Sequence, residues 1–478
     1  MKKTIRLSKN KTKFALMVPL LALLLSACFT PWVGDEAELT IDLGTAGRAA
    51  VTPQEFAGLS FELILDGPGG KLTETISGSA RASIKLLPGI YHITVRGTGD
   101  NPDPVLYAGF PDKMLRVWGT YTANVKPGQK NRAAIAVTST AEVTNWEQLS
   151  TAITNADTSG RKEIILLSNS IFTSANTINI PSGSDITLLP DGTVTINRGN
   201  GNTVFNVYGI LCLGQPEMKG SLTIDGLNIG TSVSMLNVFS GKLEMHENVT
   251  LIRAARGDNR PSRGGAVHIR NADFYMYGGT ISYSIARNSG NNNNQHYDGG
   301  GGVWIEQGIF TMSGNAKLAN NTCWERNYAN YPGRGGGVFV GINGIFTMKD
   351  NAAVIDNFAS HGEGSGVYLY SGATFRMEGG VISGNLAEMV SATLDYGGGA
   401  GLHVNGSAIF IKTGGIIYGN DAATPAHLRN RITGTGSNHD ARGYAAFHSG
   451  SRRRRNITAG ETVNCTGGGD QSFWNLAN

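Results

Sequence analysis

From residue 205 onward the chain repeats pairs of short apolar triplets. The first triplet of each pair reads Phe205-Asn206-Val207, Leu236-Asn237-Val238, Val267-His268-Ile269, Val303-Trp304-Ile305, Val338-Phe339-Val340, Val367-Tyr368-Leu369 and Leu402-His403-Val404. After a Gly-containing turn or short link comes the second: Leu211-Cys212-Leu213, Leu243-Glu244-Met245, Phe274-Tyr275-Met276, Phe310-Thr311-Met312, Phe346-Thr347-Met348, Phe375-Arg376-Met377 and Phe410-Ile411-Lys412. A third short apolar run follows, often closed by Asn, as in Val381-Ile382-Ser383-Gly384-Asn385. Within a triplet, alternation sends the first and third residues to one face and the middle one to the other. The first and third are nearly all Val, Ile, Leu, Phe or Met, so they point inward and stack on the next repeat. Each such burial contributes roughly 1.5–3 kcal/mol.

The last residues of the first triplets (207, 238, 269, 305, 340, 369, 404) are separated by 31, 31, 36, 35, 29 and 35 positions. A repeat of that length, built of short strands and glycine turns, predicts a solenoid. Three strands per coil predict a right-handed parallel β-helix, the hand that parallel crossovers take. Glycine clusters at 299–302, 335–337 and 397–399 precede the first strand and allow bends with φ > 0. The recurring Asn after the third strand (Asn320 or Asn321, Asn357, Asn385, Asn420) predicts an inward amide ladder at another corner. Thr144-x-x-Glu147 resembles a capping box. It opens a short helix whose Leu149, Ala152, Ile153 and Ala156 face one side and cover the first coil. Residues 141–478 thus form the solenoid, with a C-terminal cap from about 421.

Residues 38–140 form a separate unit. Strands at 39–43, 59–65, 82–86, 91–96, 116–125 and 132–137, spaced by Gly, Pro and Asp turns, predict a small antiparallel β-sandwich. The expected class is therefore all-β, a sandwich preceding a parallel β-helix. The stretch Leu87-Pro88-Gly89-Ile90-Tyr91-His92-Ile93-Thr94-Val95 resembles the transthyretin-like and carboxypeptidase-regulatory-like modules of surface proteins, which implies a spacer.

The N-terminus reads differently. Lys2, Lys3, Arg6, Lys9, Lys11 and Lys13 precede an apolar run from Phe14 to Leu25 that is too short to span a membrane. The tetrapeptide Leu25-Ser26-Ala27-Cys28 that follows resembles a bacterial lipobox. That resemblance implies a signal peptide over 1–27, lipidation of Cys28, a tether over 28–37, and a location at the outer membrane or cell surface. Several acyl chains would hold such a protein on a membrane. Removing the leader changes the charge. The whole chain has 40 basic and 36 acidic residues; the mature chain keeps 34 basic against 36 acidic, so nothing favours nucleic acid as a partner. Three cysteines remain after Cys28: Cys212, Cys323 and Cys465. Their odd number and wide spacing argue against a disulfide framework or a zinc site, and neither a metal nor another cofactor is expected.

The middle residues of the first triplets predict an outward column: Asn206, Asn237, His268, Trp304, Phe339, Tyr368 and His403. Loops over 254–265, 286–300, 322–336 and 386–398 enter that side. They carry Tyr297, Trp324, Tyr328, Tyr331 and Arg334, among other polar and ring side chains. Variable insertions at one phase of a solenoid mark its binding side, and rings with polar tips suit sugars or protein partners. Alternatively, the loops fold down and bury the stripe. The Gly-Gly-Gly-Val-Phe-Val and Phe-Thr-Met units resemble the pectin-lyase-like β-helix superfamily. More closely, they are similar to repeats of bacterial surface lipoproteins and polymorphic outer-membrane adhesins. The resemblance implies adhesion to host glycans or proteins. It also raises a polysaccharide lyase or glycoside hydrolase on the same face, or a structural envelope role. Against an enzyme, Arg260-Pro261-Ser262-Arg263 has the wrong spacing for a pectate-lyase motif. Hydrolysis needs two carboxylates roughly 5–9.5 Å apart, for which Glu306, Asp298 and Glu363 are the candidates.

Overall fold

The computed structural model describes residues 36–45, 56–77, 79–216, 220–256, 263–288, 299–325, 333–360, 362–389, 398–434, 443–449, 453–455, 458 and 463–466. Strands make up nearly all of their regular structure, most of them in long stacked parallel sheets consistent with a β-helix solenoid. They divide into two compact units, one drawn from residues before 98 together with 118–137, the other from 98–117 and from 138 onward.

In the first unit, β1 (Ala37–Thr45) pairs antiparallel with β4 (Arg81–Leu86) and parallel with β7 (Asn131–Val143); β2 (Ser60–Gly67) pairs antiparallel with β3 (Gly70–Ser77) and also neighbours β5 (Gly89–Asp100). Alternation is clean where these strands are covered on one side. Phe61, Leu63 and Leu65 are buried between half-buried or exposed neighbours, as are Tyr91, Ile93 and Val95. Strand β3 is absent from the sequence reading because Lys71, Thr73, Glu74 and Thr75 give it no apolar alternation.

The second unit starts where the end of β7 (Thr140 to Val143) pairs parallel with β8 (Lys162–Leu167). Helix α1 (Trp146–Thr154) lies between them in sequence. Its N-cap is Asn145, one position later than Thr144: the Asn145 side chain accepts from the Gln148 amide at 2.9 Å, while the Gln148 carbonyl accepts from the Thr144 amide at 2.8 Å. Trp146, Leu149, Ala152 and Ile153 are buried; the Trp146 indole donates to Asn176 at 2.7 Å and its ring lies 5.8 Å from Phe205.

Beyond the helix, each coil stacks in register on the next. The first column runs through Phe205–Val207, Leu236–Val238, the starts of Val267–Met276 and Val303–Met312, Val338–Val340, Val367–Leu369, Leu402–Val404 and Ala446–His448. Val303, Val338 and Val367 are consecutive partners, all fully buried in a shared interior. The second column puts Phe274, Phe310, Phe346, Phe375 and Phe410 into one pile, with ring centroids 4.8, 5.2, 4.7 and 5.4 Å apart. The third lines up Ile196, Ile224, Leu251, Ile281, Leu318, Val354, Ile382 and Ile417, all fully buried.

A fourth column follows the recurring Asn, so later coils hold four strands rather than three. It includes Ile285–Asn288, Thr322–Glu325, Phe358–Ser360, Leu386–Met389 and Arg431–Gly434. The amide ladder at the bend before it consists of Asn321, Asn357, Asn385 and Asn430, all fully buried. The carbamoyl oxygens of Asn357, Asn385 and Asn430 each accept both the backbone and the side-chain N–H of the Asn one coil earlier, Asn357 from Asn321 at 2.9 and 3.1 Å, while the Asn321 oxygen accepts the Ser284 amide. Asn320 and Asn420 are not members: Asn320 takes the left-handed backbone (φ 55°) that starts the bend, and Asn430 fills the rung expected of Asn420. The parallel stack therefore continues past residue 421. Among the described residues, Arg453–Arg455 and Val463–Thr466 pair antiparallel with the last strands of the first and second columns.

Candidate functional site

The middle residues of the first column do stack in line. Asn237 donates to Asn206 and Asn206 to Asn179, both at 3.0 Å. The rings follow, His268 on Trp304 at 4.7 Å, Trp304 on Phe339 at 5.8 Å, Phe339 on Tyr368 at 5.1 Å and Tyr368 on His403 at 5.0 Å. They do not form a surface. Trp304, Phe339, Tyr368 and His403 are at most 1% exposed and His268 is 7% exposed. The reason is the glycine segment that enters each first strand. Gly264, Gly300, Gly335, Gly364 and Gly399 all take positive φ between 60° and 72°. Their amides donate to carbonyls of the following coil, for example Gly300 to Arg334 at 3.0 Å and Gly335 to Glu363 at 3.1 Å. This backbone ladder passes over the ring column closely enough that a Cβ on Gly264 would stand 3.1 Å from Trp304 Cβ. Arg263 and Arg334 complete the cover, with guanidinium carbons 5.1 Å from the Trp304 ring and 5.4 Å from the Tyr368 ring. Of the two arrangements the sequence allows, the structure has the second: the stripe is a satellite core, and its rings cannot receive a ligand directly.

Arg334, expected on a binding loop, is 7% exposed and ion-paired at 2.8 Å with Glu363, itself 5% exposed. Glu306 accepts from His268 at 3.2 Å and lies 3.1 Å from Arg270 and 3.5 Å from Arg263. The hydrogen bond from His268, ahead of the two arginines, holds the Glu306 carboxyl below the usual carboxylate range. Burial pushes His268 down to about 4, so the ring is neutral at pH 7 and donates from Nε2. Burial likewise lowers His403. Each of these two carboxylates is thus engaged by its own cations, and Asp298 lies outside the described residues.

Tyr297, Tyr328, Tyr331 and Cys28 also lie outside the described residues. Trp324 does not, and it is 46% exposed. It stands on the outer face of the fourth column, 6.0 Å from the Phe358 ring and in register with the exposed Arg287 on the preceding coil. Ile285, Phe358 and Leu386 line the same face, half-buried. Inside that column sit Ala286, Cys323, Ala359 and Ala387. A second exposed ring pair was not anticipated: Tyr208 stacks on Phe239 at 5.1 Å, and Arg270 covers Phe239 at 5.5 Å. Its signal was available, since all three residues directly follow the third member of a first triplet.

The second column contributes another group. Strand Lys242–Met245 projects Glu244 outward and the chain continues so that His246 follows on the same side, while Glu244 is the register partner of Cys212. One ligand-type atom from each of Cys212, Glu244 and His246 lies within 4.8 Å of the other two. Burial, then the Glu244 charge, pushes the Cys212 thiol up to about 12, and burial lowers His246. Spacing along the chain concealed this trio because its members meet across two coils.

Comparison of the chain with protein-family models, with curated proteins and with solved structures finds no match. Among the described residues, no helix is long and apolar enough to cross a membrane.

Proposed function

We propose that this chain is a lipid-anchored envelope protein that binds a glycan or protein ligand on the outer face of its fourth strand column. The observation carrying the reading is Trp324: a large ring, nearly half exposed, held on a regular strand beside Phe358 with Arg287 alongside. An isolated exposed apolar side chain needs no explanation, but rings fixed on a sheet in company with an arginine have the composition of binding hot spots. The buried ring column then serves the scaffold, and the ligand face lies one column away from where the triplets alone put it.

The finer reading belongs to the same proposal. The coils wind right-handed in the manner of the pectin-lyase-like superfamily, the first unit is a sandwich acting as spacer, and Cys28 carries lipid at the outer membrane or cell surface. Adhesin-like binding is favoured over polysaccharide cleavage because Glu306 and Glu363 are each tied to arginines. The test is a glycan-array and matrix-protein screen of the full chain against Trp324→Ala and Phe358→Ala. Binding weakened at least tenfold by Trp324→Ala supports the site, whereas a ligand retained equally by both variants removes it. Fatty-acid labelling that is lost in Cys28→Ser tests the anchor separately.

A further inference from the structure

We propose that Cys212, Glu244 and His246 form a binding site for a zinc-class divalent metal ion on the outer side of the second column. The site follows from strand geometry. Glu244 and His246 are two positions apart and so share a face, and parallel register brings Cys212 beside Glu244 from the preceding coil. The position in that coil that would sit beside His246 is Gly214, which leaves the imidazole room. The three donor atoms already converge within 4.8 Å. Rotamer adjustment of Glu244 and His246, both half-buried, is what closes this to the roughly 2.0–2.3 Å bonds of a tetrahedral centre.

The donor set selects the metal class. A thiolate with an imidazole suits zinc and its analogues, while calcium and magnesium prefer all-oxygen shells. Three protein ligands leave a fourth position for water. As the metal–sulfur bond forms, the Cys212 thiol releases its proton to solvent, and no electron moves. Glu244 now holds Lys242 at 2.8 Å and the thiol now donates to the Gly214 carbonyl at 3.2 Å; both contacts give way when the ion binds. Lys162 and Asp185 also act on the thiol electrostatically.

A second observation points to the same place. Thr187 is the register partner of Cys212 on the other side; its hydroxyl is fully buried beside the thiol and placed to hydrogen-bond the ionised sulfur. Conversion of the thiol to a metal-bound thiolate gives that hydroxyl a strong acceptor, the kind of supporting contact that metal ligands commonly have.

The experiment uses the full chain, stripped with a chelator, and Co²⁺ alone as the probe. The expected result is one equivalent bound, with a thiolate-to-metal charge-transfer band and the visible bands of a tetrahedral centre, both bleached by Zn²⁺. Cys212→Ser abolishes the charge-transfer band, Cys323→Ser leaves it intact, and His246→Ala weakens Zn²⁺ binding at least tenfold. His246→Ala changes a half-buried ring at a column edge, so it reports even where Cys212→Ser fails to fold. Absence of the band in the wild-type chain overturns the site. So does a band that survives Cys212→Ser, or Zn²⁺ affinity unchanged by His246→Ala.

Discussion

Asn357 shows how much a single side chain carries in this molecule. Its carbonyl accepts two N–H groups of Asn321, and its own amide donates to the Leu318 carbonyl at 3.2 Å and to Asn385 at 3.0 Å. It is fully buried, so each partner it abandons is left without solvent to replace it. Asn357→Ala is expected to destabilise the protein by about 3–5 kcal/mol, measured by denaturant unfolding, whereas the exposed Asn315→Ala should change stability by less than about 0.5 kcal/mol. His268 carries a pH dependence. Its folded value near 4 lies below its unfolded value near 6.5, so between these limits the unfolded chain binds more protons. Stability is therefore complete above about pH 6.5 and falls as pH drops toward 4, by up to about 3 kcal/mol from this ring, with His403 acting in the same direction. His268→Asn, which would extend the amide column of Asn206 and Asn237, is expected to flatten the profile in unfolding titrations between pH 7 and 4.5.

Among the elements, the glycine bends are the least tolerant of change. Gly335 has φ 61°, and a Cβ there would run into the Val338 carbonyl. Gly335→Ala is expected to cost roughly 2–4 kcal/mol from strain and overlap combined. Gly192, also at positive φ but with open space around it, should lose only about 1–2 kcal/mol on the same change; thermal unfolding of the two variants distinguishes the contributions. The first three columns were legible because Val, Leu, Phe and Met alternate with polar residues at a fixed phase. The fourth was not, because its inward residues Ala286, Cys323, Ala359 and Ala387 are too small to register as an apolar rhythm and its strands are two to four residues long. The N-cap slipped by one residue because Asn145 and Gln148 satisfy the same capping chemistry as Thr144 and Glu147. The candidate site was legible only in part. Alternation correctly put the ring column outside the main core, yet alternation cannot see a backbone segment laid over it. The Cys212 group depends on contacts between coils, which no local spacing encodes. Trp324 was found through its loop, but its place on a regular strand came from the unnoticed column.

At the scale of the whole molecule, each coil beyond α1 interacts with its neighbours through the first three ladders, joined by the fourth in the later coils, so stability is distributed nearly one coil at a time. Val338 and Val367 are register partners, which makes residues 338–366 one complete coil. Excising them sets Val367 on Val303, Tyr368 on Trp304 and Asn385 on Asn321, with every column continuous. The shortened chain is expected to keep its strand content by circular dichroism and to unfold cooperatively; removing only 338–352 breaks the columns and should abolish the transition. The reversed strands at the C-terminal end have a different consequence. A parallel stack left open would offer its last ladder as a template on which another molecule could continue the pattern indefinitely. With Arg453–Arg455 and Val463–Thr466 running backwards along the first and second columns, those two ladders present a reversed edge on which a parallel copy would find no matching strand direction.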